Sequence, residues 1–134
     1  MVLLDYIANK GVRLPREGSS TPALWARVRA AAQSVGVASV FPPRDQVAIY
    51  DDHTPFLRAG IPAVDLIDFS YRYADGLRDT YDKLSPASMD AVGETMFDLI
   101  RRGVYTAKPV TTERPTWGGL RHEQVADLEI GDGT

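Results

Sequence analysis

The sequence predicts an α/β fold, with this chain forming the later part of a larger sheet and its covering helices. Three observations carry that reading. Residues 61–67 are apolar and partly β-branched, the composition of a buried strand. Residues 21–35 and 85–103 carry apolar side chains at helical spacing, each behind a Ser/Thr-Pro start that suits a helix N-terminus. Residues 2–7 read as a second core-type strand with Asp5 inside it. A buried strand needs neighbours on both sides, so an earlier part of the sheet is expected upstream.

Taken in order, the strand over 2–7 leads into a polar loop over 8–20, punctuated by Gly11, Pro15 and Gly18. Thr21-Pro22 opens the first helix. Leu24, Val28, Ala31, Ala32 and Val35 form its stripe, Trp25 widens it, and Gly36 ends it. Residues 37–41 are β-prone and closed by Pro42-Pro43, and residues 46–50 read as a second short extended piece. Thr54 is read as an N-cap with Pro55 in the first helical position, and Gly60 and Pro62 stop that short helix. The buried strand over 61–67 follows. Residues 68–84 are polar and aromatic, placed after the strand's carboxyl end, where open α/β sheets form ligand sites. In the final helix Met89, Val92, Met96, Leu99 and Ile100 form the apolar face, with Asp98 and Arg102 on the exposed side. Residues 1–103 therefore form the α/β part. Residues 104–134 read as a weakly ordered tail, with one short element near 120–130.

Composition excludes several functions. A net charge of −3 with scattered basic residues gives no footprint for nucleic acid and no polybasic patch for a membrane. No stretch is long and apolar enough to span a bilayer. The absence of cysteine removes disulfides, thiolate nucleophiles and cysteine metal sites. No glycine-rich phosphate loop is present. Of the two histidines, His122 reads as a solvent-exposed residue in the tail, and His53 stands beside two carboxylates. The triplet Asp51-Asp52-His53 at a helix entry is thus the chemically densest point of the chain. Its carboxylates also suit a helix N-terminus.

Three blocks carry a resemblance over residues 2–102: Val2-Leu3-Leu4-Asp5-Tyr6-Ile7, Asp51-Asp52-His53-Thr54-Pro55-Phe56-Leu57-Arg58-Ala59-Gly60-Ile61-Pro62, and Asp79-Thr80-Tyr81-Asp82-Lys83-Leu84-Ser85. In this order they resemble the C-terminal half of metallopeptidase family 28, the zinc aminopeptidase and glutaminyl cyclase-like superfamily. The resemblance implies a mixed, mostly parallel central sheet with helices on both faces, zinc exopeptidase-like, whose N-terminal half is missing here. It implies one or two zinc ions at the strand ends and a glutamate that moves a proton to or from zinc-bound water. It also implies a peptide substrate. On that pattern Asp5 is a metal ligand or part of a carboxylate network. Asp51, Asp52 and His53 lie in the shell that orients the metal site. Read from the residues alone, Phe69, Tyr71 and Tyr73 alternate as in an exposed extension of the strand, and they are candidates either to line a substrate pocket or to pack on the final helix.

The sequence departs from the family pattern in two ways. Where the family places a histidine ligand, four residues before Asp79-Thr80, this chain has Asp75, with Ala74 where an aromatic residue is common. Asp75 can ligate through oxygen, so Asp5 and Asp75 are the metal candidates. The His-x-Asp block and the Glu-Glu pair, which supply further ligands and the general-base glutamate, belong upstream of the Asp5 strand, and no two glutamates are adjacent here. The expectation is therefore the C-terminal portion of a zinc-dependent aminopeptidase-like hydrolase, with little activity alone. The competing readings are a non-catalytic half-domain that binds a partner or dimerises through the exposed edge of its first strand, and a glutaminyl cyclase-like acyltransferase. Family members often work outside the cytoplasm. The apolar run over residues 1–4 reads as too short for a signal peptide, and Asp5 interrupts it.

Overall fold

The computed structural model describes residues 1–103. The expected tail, its short element and His122 lie outside the described residues. The chain forms β1 (Val2–Asp5), α1 (Pro22–Ser34), α2 (Thr54–Arg58), β2 (Val64–Ile67) and α3 (Pro86–Arg101), with single 3-10 turns at Ala38–Val40 and Tyr81–Lys83. β1 and β2 pair in parallel, with Val2 opposite Val64 and Asp5 opposite Ile67.

Side chains alternate across a sheet, so Val2, Leu4, Val64 and Leu66 share one face while Leu3, Asp5, Asp65 and Ile67 share the other. The first face carries the core. Val64 and Leu66 pack there with Leu24, Trp25, Val28, Ala31 and Ala32 of α1 and with Val92 and Leu99 of α3. The second face carries the carboxylates Asp5 and Asp65.

The outer edge of β2 is closed by the loop that precedes α1. Thr21 N donates to Ala63 O at 2.8 Å, and Ala63 N donates to Thr21 Oγ1 at 3.1 Å. Asp65 N donates to Ser20 Oγ at 3.0 Å, and Gln46 Nε2 donates to Ile67 O at 3.0 Å. Thr21 therefore spends its hydroxyl on the strand and makes no side-chain cap on α1. The outer edge of β1 meets no strand among the described residues.

Several local expectations need correction. Residues 37–41 form a 3-10 turn at Ala38–Val40 instead of a strand. Phe41 is buried against Trp25, their ring centroids 6.1 Å apart, and that packing decides the local path. Residues 46–50 form no strand, and β2 starts at Val64 because Pro62 can donate no ladder bond. Thr54 lies inside α2, and its hydroxyl accepts from Asp51 N at 3.2 Å. The buried face of α3 is turned from the expected stripe: Ser88, Thr95 and Asp98 are buried, while Met89 and Ile100 are exposed. Each polar group finds a partner there. Ser88 Oγ donates to Asn9 O at 2.8 Å, and Thr95 Oγ1 donates to Ala91 O at 2.8 Å. Asp98, 3% exposed, pairs with Arg102 at 2.5 Å and Arg101 at 3.3 Å. The expected Ser85 cap is present, its hydroxyl accepting from Ser88 N at 3.3 Å.

Candidate functional site

The site is built where β1 ends and the chain turns. Tyr6, the residue after Asp5, takes a left-handed backbone at φ 44°, and Asp75 does the same at φ 55°. Both are non-glycine, so each conformation costs about 1–3 kcal/mol unless its surroundings hold it. The two strained residues hold each other: Tyr6 donates its hydroxyl to Asp75 Oδ1 at 2.8 Å, across 69 positions of sequence. That bond pushes the Tyr6 phenol up to about 12. It also fixes the Asp75-Gly76 turn beside the end of β1.

Around this clamp lie the carboxylates picked out in the sequence. Burial pushes the Asp5 carboxyl above its usual range, and the nearby charges of Asp51, Asp75 and Asp52 add to the push. Asp5, Asp51, Asp52 and Asp75 thus share one electrostatic neighbourhood, three of them drawn from two loops. Asp51 Oδ1 accepts from Asp52 N at 2.6 Å, which stiffens the helix-entry loop. Asp52 and Asp75 are exposed, and Asp5 and Asp51 are half-buried.

His53 points the other way, into the protein. It is fully buried, and so are Glu17 and Asp65. His53 Nε2 is 2.8 Å from Ser19 Oγ and 3.1 Å from Glu17 Oε2. Ser19 Oγ is also 2.9 Å from both Glu17 carboxylate oxygens. A serine has one hydroxyl proton, and an ionised Glu17 can only accept it. The hydrogen on the Ser19–His53 contact must then come from His53, which fixes the Nε2–H tautomer. Nδ1 faces Asp65 Oδ2 at 3.7 Å, beyond hydrogen-bond reach.

The two buried acids are treated in opposite ways. Burial would push Glu17 up. The backbone N–H groups of Ser19 and Ile49 and the hydroxyls of Ser20 and Ser19 outweigh it and hold the carboxyl below its usual range. Asp65 has no hydrogen-bond partner on either oxygen. Burial, then the charges of Asp51, Asp5, Glu17 and Asp52, push it up to about 7. Glu17, Ser19, Ser20 and Asp65 were missed by sequence reasoning. Asp65, a lone carboxylate inside an apolar strand run, was the one signal that could have been read.

Of the aromatic candidates, Tyr71 stacks at a tilt on Tyr6, with centroids 6.0 Å apart, and meets Tyr73 edge-on at 5.8 Å. Tyr71 donates its hydroxyl to Asp79 Oδ1 at 2.5 Å. Phe69 is more than half exposed and lies away from both tyrosines' pocket. The expected extended run over these aromatics is instead a series of turns.

Among the described residues, no three His, Asp or Glu side chains come together as a group that could hold a metal ion. His53, the single imidazole among them, is tied to Ser19 and Glu17 in the interior. The described residues therefore do not make a zinc site by themselves, and Asp5 and Asp75 would need further ligands.

The model of peptidase family M28 matches residues 1–100. Among solved structures, the chain is 40% identical to the glutaminyl cyclase of Fimbriiglobus ruber, covering 75% of this chain and 35% of that one with a TM-score of 0.70. It is 32% identical to the glutaminyl cyclase of an Acidobacteriales bacterium, covering 75% and 37% with a TM-score of 0.69. It is 27% identical to a leucine aminopeptidase precursor from Bacteroides thetaiotaomicron, covering 74% and 36% with a TM-score of 0.70. The chain thus spans little more than a third of the length of these structures. No curated protein matches it. The fold is the zinc exopeptidase-like α/β fold that the sequence blocks led us to expect, and the chain belongs to peptidase family M28.

Proposed function

We propose that this chain is the C-terminal portion of an aminopeptidase-like hydrolase that cleaves an N-terminal peptide bond. Its own contribution is the carboxylate wall of Asp5, Asp51, Asp52 and Asp75. The observation that carries the reading is the clamp between two strained residues, Tyr6 and Asp75, beside that wall. Strain of this kind persists where the surroundings over-determine it, and it concentrates at functional sites. A wall of like charges at a strand end attracts the protonated amine of a peptide N-terminus. The reading requires metal-holding and proton-accepting groups beyond the described residues, so the chain alone should hydrolyse little or nothing. Family membership supports the peptidase chemistry, and the zinc belongs to that same inference.

A second reading is favoured by one observation, the 40% identity to a glutaminyl cyclase. In it the same wall serves acyl transfer within a glutaminyl peptide.

One experiment separates these. The part of the Fimbriiglobus ruber cyclase that precedes the matched region is joined to residues 1–134. Zinc content, leucine-arylamide hydrolysis and glutaminyl-peptide cyclisation are then measured for the chain and the chimera. The chain should carry no stoichiometric zinc, while the chimera should bind it. Asp5→Asn and Asp75→Asn should each weaken metal binding or activity by roughly 10–100-fold. Cyclisation without arylamide hydrolysis would select the second reading. A folded chimera that binds no zinc would sink both.

A further inference from the structure

Asp75-Gly76 is one of two Asp-Gly pairs in the chain, and the other, Asp132-Gly133, lies outside the described residues. An aspartate followed by glycine is open to internal attack, because glycine has no side chain to keep its backbone nitrogen away from the preceding carboxyl. Here the pair sits on a turn with both residues exposed. The turn itself demands glycine: a methyl group on Gly76 would lie 3.1 Å from Tyr73 O, closer than such contacts usually come. Asp75 takes its left-handed backbone at φ 55°, a conformation that costs about 1–3 kcal/mol for a residue with a side chain. Sequence, exposure and strain meet at this one bond.

The chemistry open to it is loss of water followed by its return. Gly76 N attacks the carboxyl carbon of Asp75 in its protonated form. An N–C bond forms, a C–O bond breaks, and the amide hydrogen leaves with the hydroxyl as water. The product is a five-membered cyclic imide. Water then opens the ring at either carbonyl. Opening at the former main-chain carbonyl leaves isoaspartate, in which the backbone runs through the side-chain carbon and the free carboxylate sits on Cα. No oxidant, reductant or second substrate is consumed. The structure restrains both reacting groups. Gly76 N donates to Tyr73 O at 3.0 Å, and Asp75 Oδ1 accepts from the Tyr6 hydroxyl at 2.8 Å. To bring the carboxyl carbon within bonding distance, Gly76 N must leave Tyr73 O and the Asp75 side chain must rotate, which the Tyr6 hydroxyl resists.

We propose that Asp75-Gly76 is a site of isoaspartate formation at the edge of the carboxylate wall, and that the Tyr6 hydroxyl guards it. In the native chain the two hydrogen bonds slow the ring closure. Once the ring has opened to isoaspartate, the carboxylate that met Tyr6 is part of the main chain, and the clamp across 69 positions of sequence is lost. Ring closure needs no zinc and no substrate, so it stands or falls apart from the hydrolase reading.

The test incubates the full chain and its Tyr6→Phe variant at neutral pH in water enriched in heavy oxygen. Trypsin, used afterwards in ordinary water, cuts after Arg72 and Arg78 and releases residues 73–78. Each ring opening adds one heavy oxygen, read as a mass gain, and chromatography separates the isoaspartyl from the aspartyl peptide. A synthetic peptide of residues 73–78 under the same conditions sets the unguarded rate. The parent should react at Asp75 roughly tenfold or more slowly than the peptide, the effect of two hydrogen bonds on a barrier. Tyr6→Phe should speed the reaction roughly threefold to tenfold over the parent, the effect of one. Val92→Ala, a change in the buried core that leaves the clamp in place, separates guarding from general loosening and should react at the parent's rate. A parent as fast as the peptide, a Tyr6→Phe variant as slow as the parent, or equal acceleration by Val92→Ala would each overturn the proposal. So would the absence of isoaspartate from both the parent and Tyr6→Phe while the peptide forms it.

Discussion

His53 shows how much one buried side chain can govern. It separates two fully buried acids and gives its Nε2 hydrogen toward Ser19 and Glu17. Replacing it with leucine would take the imidazole away from both acids, although Glu17 would keep its donors on Ser19, Ser20 and Ile49. His53→Leu should therefore cost about 1–3 kcal/mol, the range for removing one partner of a buried hydrogen-bonded contact, read as a lower midpoint in urea denaturation. Asp65 adds a pH signature. Its folded value is about 7 against 3.8 for the free side chain. Between those values the folded state keeps a proton that the unfolded chain has released, so stability falls as pH rises toward 7. The contribution is fully present below 3.8. Glu17 acts oppositely: its carboxyl is held low, so its contribution is present above 4.5 and is lost as pH falls through its lower folded value. Asp65→Asn should flatten the slope between about pH 4 and about pH 7 while leaving the Glu17 acid limb, measured by urea midpoints at each pH. An unchanged slope would show that Asp65 is not the group responsible.

At the scale of elements, the loop before α1 does the positioning. Arg16, Glu17 and Gly18 run beside residues 44–49: Arg16 N donates to Arg44 O, Gln46 N to Arg16 O, and Ile49 N to Glu17 Oε1 at 2.9 Å. A methyl group on Gly18 would lie 2.8 Å from Ala48 N and 3.0 Å from Gln46 O, both backbone atoms. Gly18→Ala should force the two segments apart, costing about 1–3 kcal/mol. Hydrogen exchange at the Ile49 amide should accelerate more than exchange in α3, and uniform acceleration would count against this account. The same loop marks what could be read from the sequence. α1 was legible because its stripe, cap-like start and closing Gly36 all agree, and Gly36 does take a left-handed backbone at φ 80°. α2 ends at Gly60 as its sequence suggests, φ 74°. Glu17 was illegible. A glutamate in a Gly-Ser loop looks solvated, and its burial depends on Ile49 and His53, more than thirty residues away. The turned face of α3 was hidden in part for the same reason: Ser88 belongs inside because Asn9, 79 residues away, meets it, while Thr95 and Asp98 are satisfied within the helix by Ala91 and Arg102.

The whole molecule is governed by its sheet edges. β2 is closed by Ser20, Thr21 and Gln46, whereas β1 offers an unpaired edge among the described residues. Leu4, on the core face of β1, is 45% exposed, and α3 leaves Phe97 and Ile100 about two-thirds exposed. Open edges with apolar side chains recruit strands. A second copy related by a two-fold axis would pair β1 with β1 in antiparallel fashion. Four residues make a short edge, so the association should be weak and concentration-dependent. Light scattering with size exclusion should therefore show the chain moving from monomer to dimer as concentration rises, and Leu4→Lys should hold it as a monomer by placing a charge on the edge. A monodisperse monomer at all concentrations would remove the dimer reading. The chimera described above tests the same edge in another way. If the added segment supplies the strand that β1 lacks, the chimera should be monomeric, and Leu4→Lys should lower its stability instead of dissociating a dimer. A chimera that is indifferent to Leu4→Lys would mean that neither a copy nor an upstream strand uses this edge. The family fold would then have to be completed elsewhere on the molecule.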